Sequence, residues 1–227
     1  CAFDFTGTDL SHADFDHADL AGAILTDAIV RHTNFHDSNI TGVDMSGMDL
    51  TGTILTGANL TDSILTGVDL SGKDLSGTIL VGVDMSDVDI TGAIFGDADL
   101  AGVDLTETIL IGADLTDSNL TDVDLSGKDL SYTNLTGADL SGKDLSGTIL
   151  RGANLSNTNL TNVDLSGNDL SNTNLTGADL TDMDLTDTIL KRADMSGVNL
   201  TGTVLTGADL SNTNLTGADL TDMDLTD

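Results

Sequence analysis

Basic residues are the first scarcity. The chain has 7 Lys and Arg against 38 Asp and Glu, a formal charge of −31, and Glu107 is its only Glu. Such a surface cannot displace counterions from a nucleic-acid backbone or dock on an anionic membrane. Pro and Trp are absent, and Cys1 is the single cysteine, which excludes an internal disulfide framework and a Cys-rich metal centre. No apolar run approaches the ~18 residues of a membrane-spanning helix. There is no nucleophile elbow, P-loop or dinucleotide fingerprint. Without loops there is also no pocket to set two carboxylates apart in pKa. The expectation is therefore a non-enzymatic chain with no cofactor. Yet 39% apolar content is too high for a disordered acidic tail. Something folds here.

Cys1 stands where a Met is usual. A mature lipoprotein also begins with Cys, which would lipidate Cys1 and favour a cell-surface or extracellular location; an arbitrary start is the other reading. No signal-peptide region is present to decide.

What is present is one repeat. Every fifth residue, from Phe5, Leu10 and Phe15 through to Leu220 and Leu225, is Leu, Phe, Ile, Met or Val, with no slip. The residue before it is usually Asp or Asn and the residue after it Thr or Ser. Gly, Asp or Asn comes next, and a small residue stands two before. A period of five fits neither a helix at 3.6 nor a strand at 2. It fits a very short extended stretch ending in a turn, with the large and the small residue on the inner face.

In this pattern the chain resembles the pentapeptide-repeat family, A(D/N)LXX, as in Ala138-Asp139-Leu140-Ser141-Gly142 and Ala178-Asp179-Leu180-Thr181-Asp182. The resemblance implies an all-β fold, a right-handed quadrilateral β-helix with four pentapeptides per twenty-residue coil. Residues 1–227 would form one continuous solenoid of about eleven coils, with no linker and no evident C-terminal cap. A forty-residue self-similarity between 143–182 and 183–222 agrees with that coil length. So does the placing of oversized inward residues. Met48, Lys73, Lys128, Lys143, Asn168, Met183 and Met223 have only Ala, Val or Thr twenty residues away, so large never stacks on large. For Lys73, Lys128 and Lys143 the expectation is a stem along the core edge and an amine reaching out to an Asp.

At ~4.8 Å per coil the solenoid would be roughly 54 Å long, with about one charge per ~1.7 Å, close to duplex DNA. Quinolone-resistance members of the family mimic DNA on type II topoisomerases, so a basic DNA-binding enzyme is one candidate partner. Acidity merely for solubility is the plainer account. This chain has neither the helical C-terminal segment nor the projecting loops of those members. The favoured reading is a structural scaffold, a longer rod or filament subunit, self-associating end to end. Its candidate end contacts are Phe3, Phe5 and Phe15 on one side and Leu210, Leu215, Leu220 and Leu225 on the other.

Three further patterns bear on ligands. His12 should lie against His32, and His17 and His36 near Asp37 and Asp16, a weak candidate for Zn²⁺ or Ni²⁺. Stacked Asp would bind Ca²⁺ only diffusely. Thr columns such as Thr161, Thr181 and Thr201 are similar to ice-binding faces, with hydrogen bonding to the turns as the alternative.

Overall fold

A five-residue beat with hydroxyl and carboxylate residues at the turns leaves room for only one extended residue per side, and that is what is found. The computed structural model describes residues 2–222. They fall into two compact units, Cys1–Ile109 with Ser118–Val123, and Leu110–Asp117 with Asp124–Asp227. Cys1, Met223 and Leu225, each given a role by the sequence, lie outside the described residues. No continuous strand forms among the described residues; single residues form parallel bridges to the residue twenty further on. In the first unit these include Asp4 to Ile24, Asp9 to Ile29, Asp14 to Asn34 and Asp19 to Asn39. In the second they include Asp129 to Ile149, Asn134 to Asn154 and Asp139 to Asn159. This is a β-solenoid with a return of twenty residues.

One repeat shows how the backbone is satisfied. The Phe5 N–H donates to Ile24 O at 2.9 Å and the Ile24 N–H donates to Phe3 O at 2.8 Å. The Thr8 N–H closes a turn on Phe5 O at 2.9 Å, and the Gly7 N–H donates to Thr26 O at 2.8 Å. Gly7 has a φ of 65°, the sign a type II turn requires at its third residue. Asn and Asp tolerate that region best among residues with a side chain, which explains why Asp62, Asp117 and Asn172 share the position with glycine.

The core is one column of large residues at each corner. Every fifth residue from Leu20 to Leu205 is buried, with Leu130 and Leu135 wholly so. The small inward residues fill the space between corners. Where they are Thr or Ser, the hydroxyl donates to a corner carbonyl, either of its own turn, as Thr133 to Leu130 O, or of the preceding coil, as Thr33 to Leu10 O. No buried side-chain nitrogen or oxygen is left without a partner among the described residues.

Lys73 corrects the sequence expectation. Its ammonium does not reach out to an Asp. It turns back to Leu50 O at 2.9 Å, Thr53 O at 3.3 Å and Thr53 Oγ1 at 3.2 Å. It thus joins the Thr53 hydroxyl on the carbonyl of Leu50, twenty-three residues earlier, as Asn168 joins the Thr148 hydroxyl on Leu145 O. Burial pushes its pKa down, while the charges of Asp69 and Asp49 oppose that. Lys128 and Lys143 are also partly buried.

Candidate interaction surface

The outer face begins with the residue before each corner. There an Asp or Asn does not simply point to water. Its Oδ1 accepts the N–H, and often the hydroxyl, of the Ser or Thr two residues on: Thr6 N–H and Oγ1 reach Asp4 at 3.0 and 2.7 Å, Ser126 reaches Asp124 at 2.9 and 2.7 Å. The repeated Asp-Leu-Ser/Thr is thus an Asx turn, a signal legible in the sequence and missed there. The Thr columns have the same explanation: Thr161 and Thr201 donate to Asn159 and Asn199 at 2.8 and 2.6 Å, and Thr181 to Asp179 at 2.6 Å. These bonds favour the ionised carboxylate and hold Asp4, Asp124 and Asp179 below the ordinary Asp range. Asp49 falls to about 2, through Thr51 first and then the ion pair with Arg31.

Stacked carboxylates one strand spacing apart repel, and Asn relieves them by donating its amide. Asn34 donates to Asp14 at 2.9 Å, Asn39 to Asp19 at 3.0 Å and Asn214 to Asp194 at 3.0 Å. Asp124, Asp144, Asp164 and Asp184 succeed one another at twenty-residue steps without such relief, and the first three form no bridge. Asp144 feels both neighbours, yet its bonds to Ser146 outweigh them and its pKa stays lowered.

The four histidines come together as two groups in the first unit. The rings of His12 and His32 stack with centroids 5.0 Å apart and 3° between planes. His17 Nδ1 and His36 Nε2 lie 3.6 and 3.3 Å from Asp37 Oδ2, and His17 Nε2 lies 3.7 Å from Asp16. His36 Nδ1 is 2.8 Å from both Thr56 O and Thr56 Oγ1, so one imidazole nitrogen is already engaged. Among the described residues no three or more His, Cys, Asp or Glu are gathered as a metal-holding group.

Of the candidate end contacts, Phe3 stacks on Phe5 at 5.9 Å, Phe5 meets Phe15 edge-on at 5.8 Å, and Phe15 stacks on Phe35 at 5.6 Å. Phe3 remains 56% exposed. Leu210 and Leu215 are half-buried and Leu220 is 46% exposed.

Two features were not anticipated. Isoleucine replaces the outward Asp or Asn at several repeats, from Ile24 to Ile189, and there it stands exposed. A groove of about 510 Å³ in the first unit, lined by Met48, Asp49, Asp69 and Lys73 among others, opens where Asp49 makes no bridge.

With the repeat geometry in place, kinship can be assigned. The family pattern described as Pentapeptide repeats matches in eight copies, from residues 4–42 through to 193–227. The chain belongs to the pentapeptide-repeat family. Solved structures similar to it include HetL, a pentapeptide repeat protein involved in heterocyst differentiation regulation from the cyanobacterium Nostoc sp. strain PCC 7120. It is 29% identical, with 97% of this chain and 90% of that chain covered and a TM-score of 0.36. QnrB1, a plasmid-mediated fluoroquinolone resistance protein, is 15% identical, with 99% and 91% covered and a TM-score of 0.31. The pentapeptide repeat protein Rfr23 from the cyanobacterium Cyanothece 51142 is 25% identical, with 69% and 88% covered and a TM-score of 0.20. A search of the curated proteins found no match.

Proposed function

We propose that this pentapeptide-repeat protein is a non-enzymatic acidic scaffold that self-associates end to end. The observation that carries this reading is that exposure of corner residues is confined to the first and last described coils. Every corner from Leu20 to Leu205 is buried, whereas Phe3 and Leu220 are exposed and Phe5, Leu210 and Leu215 only half covered. A coil of another copy laid on such a surface would continue the bridge ladder and remove apolar area from water. The non-enzymatic part is supported by the carboxylates: every Asp shift that is resolved is downward, for instance at Asp44, Asp164 and Asp219. None of these is poised to donate a proton near neutrality.

Imaging by negative stain tests the scaffold. Salt or acid should promote fibres by screening or discharging the Asp columns, and Phe3→Asp with Leu220→Asp should abolish them. Dispersed particles under all these conditions would defeat it.

A second reading, an acidic surface that replaces duplex DNA on a type II topoisomerase, is favoured by the uninterrupted column of Asp124, Asp144, Asp164 and Asp184. Asp→Asn changes along that column should weaken binding and flatten its salt dependence. Absence of any effect on supercoiling at low salt would dispose of it.

A further inference from the structure

The scarce bases are not scattered. Arg151, Lys191 and Arg192, three of the 7, stand exposed on the second unit beside two exposed isoleucines, Ile149 at 45% and Ile189 at 39%. Ile149 and Ile189 are forty residues apart, two returns of the coil, with Asp169 between them and Asp129 and Asp209 outside. The bridges Asp129 to Ile149, Asp169 to Ile189 and Ile189 to Asp209, with the Gly152 N–H bond to Ser171 O at 2.9 Å carrying the same return between Ile149 and Asp169, put them in one column. Arg151 and Lys191 run beside it at the same two-coil step, about 10 Å.

Turn chemistry alone does not account for this. Where Ile replaces Asp, the residue two on loses its hydroxyl acceptor and is free to change. Yet Ile24, Ile54 and Ile64 keep Thr26, Thr56 and Thr66, and Ile79 and Ile94 precede Val81 and Gly96, so none of these five is followed by a base. A base appears only on this one side, after Ile149 and Ile189 here and after Ile29, as Arg31, in the first unit; Ile109 is succeeded by Ile111. Arg31 is ion-paired with Asp49. Next to the strip, Tyr132 and Arg192 hold left-handed φ values of 61° and 59°, at a turn position where Asn172 and Asn212 also sit. For residues other than Gly, Asn or Asp that conformation is strained. The Tyr132 ring is 65% exposed and lies over Gly152, where a Cβ would be 2.7 Å from it.

An exposed column that joins apolar and cationic groups, on a chain of charge −31, needs an occupant that offers apolar groups and acids at the same step. The chain itself has one. In the first unit Asp4, Ile24, Asp44, Ile64 and Asp84 alternate through the bridges Asp4 to Ile24, Asp44 to Ile64 and Ile64 to Asp84, with Ile24 and Ile64 45% and 43% exposed. No base stands beside that column: the residues two on are Thr or Ser. Both columns repeat every two coils because both are built on the same backbone. We propose that the Ile149–Lys191 strip is a lateral docking surface for the Ile24–Ile64 column of a second copy. Isoleucine would meet isoleucine; Asp169 would then face Asp44, and Arg151 and Lys191, which flank Asp169, would lie against that pair and offset its repulsion. This goes beyond the end-to-end reading and uses none of its contacts.

The test is sedimentation equilibrium at near-physiological ionic strength, where a Debye length of about 8 Å screens the overall repulsion more than close ion pairs. The full chain should show mass above its 23.3 kDa monomer at micromolar concentration. The quadruple variant Ile149→Asp, Arg151→Ser, Ile189→Asp, Lys191→Ser restores the Asp-Leu-Ser already present at Asp169-Leu170-Ser171. It should keep its circular dichroism and melting point and sediment lighter than the parent, any association that remains being end to end. Ile24→Asp with Ile64→Asp should do the same from the other column. Arg192→Asn should melt higher than the parent and associate less. Because these variants leave Phe3 and Leu220 intact, fibres that persist in them belong to end-to-end assembly alone. A parent chain monomeric throughout, or a quadruple variant that associates as tightly as the parent, overturns the proposal.

Discussion

Leu130 and Ile149 show how completely one residue's place in the five-residue beat sets its worth. Leu130 is a corner with no exposure, so Leu130→Asp buries an unpaired carboxylate and should cost about 3 kcal/mol or more. Ile149 stands where most repeats have Asp or Asn, and Ile149→Asp should stay within about 0.5 kcal/mol of neutral. Chemical denaturation of both variants measures this; equal losses would mean the register is wrong. The same scale governs acid behaviour. Asp49, Asp139 and Asp194 have folded pKa values below 3.8, held there first by the hydroxyls of Thr51, Ser141 and Ser196. A lowered folded pKa contributes stability that is complete above the unfolded value and is lost as pH falls through the folded one. The melting temperature should therefore be level from neutrality to about pH 4 and fall from there toward about pH 2. A steady rise on acidification would show that relief of repulsion, not loss of turn bonds, dominates.

At the scale of one coil, what matters is who donates to the corner carbonyls. Thr33, Asn168 and Lys73 answer that need for Leu10, Leu145 and Leu50. Lys73→Met keeps the stem but removes one donor; Leu50 O retains the Thr53 N–H and hydroxyl, so the loss should be that of a single hydrogen bond, about 0.5–1.5 kcal/mol. Lys73→Thr supplies a hydroxyl of the kind used at Thr108, which reaches Met85 O at 2.8 Å, and should cost less. Thermal melts of the two variants separate hydrogen bonding from filling: a Met variant as stable as the Thr variant would mean that only volume counts here.

Within each unit the repeat makes stability nearly one-dimensional, each return contacting only its neighbours. Deleting residues 143–162, one full return inside the second unit, restores every later residue to its own column. Deleting 143–150 shifts the corners off the five-residue beat and turns Leu positions outward. The first deletion should retain a cooperative melt with a modest loss of stability, and the second should unfold the coils C-terminal to the cut. Circular dichroism and limited proteolysis read the difference; two deletions of equal effect would contradict a return of twenty.

The amino-acid sequence alone determined the family, the inward and outward positions and the coil length, because a strict period leaves a chain without Pro few other ways to bury Leu every five residues. It also placed His12 against His32 and His17 near Asp37, since columns come out of a twenty-residue return by counting. Tertiary structure decided where polar side chains turn once they arrive. The Lys73 amine chose backbone carbonyls of the coil before it over the carboxylates, because those carbonyls lie at the end of its buried stem. Asp124 chose the hydroxyl two residues on rather than open water. The Arg151 and Lys191 strip exists only because residues forty apart stack; in the linear sequence Arg151 and the Lys191-Arg192 pair stand far apart in an acidic run. Periodicity fixes addresses along the coil; the contacts made at each address depend on neighbours twenty residues away, and only the folded backbone brings those within reach.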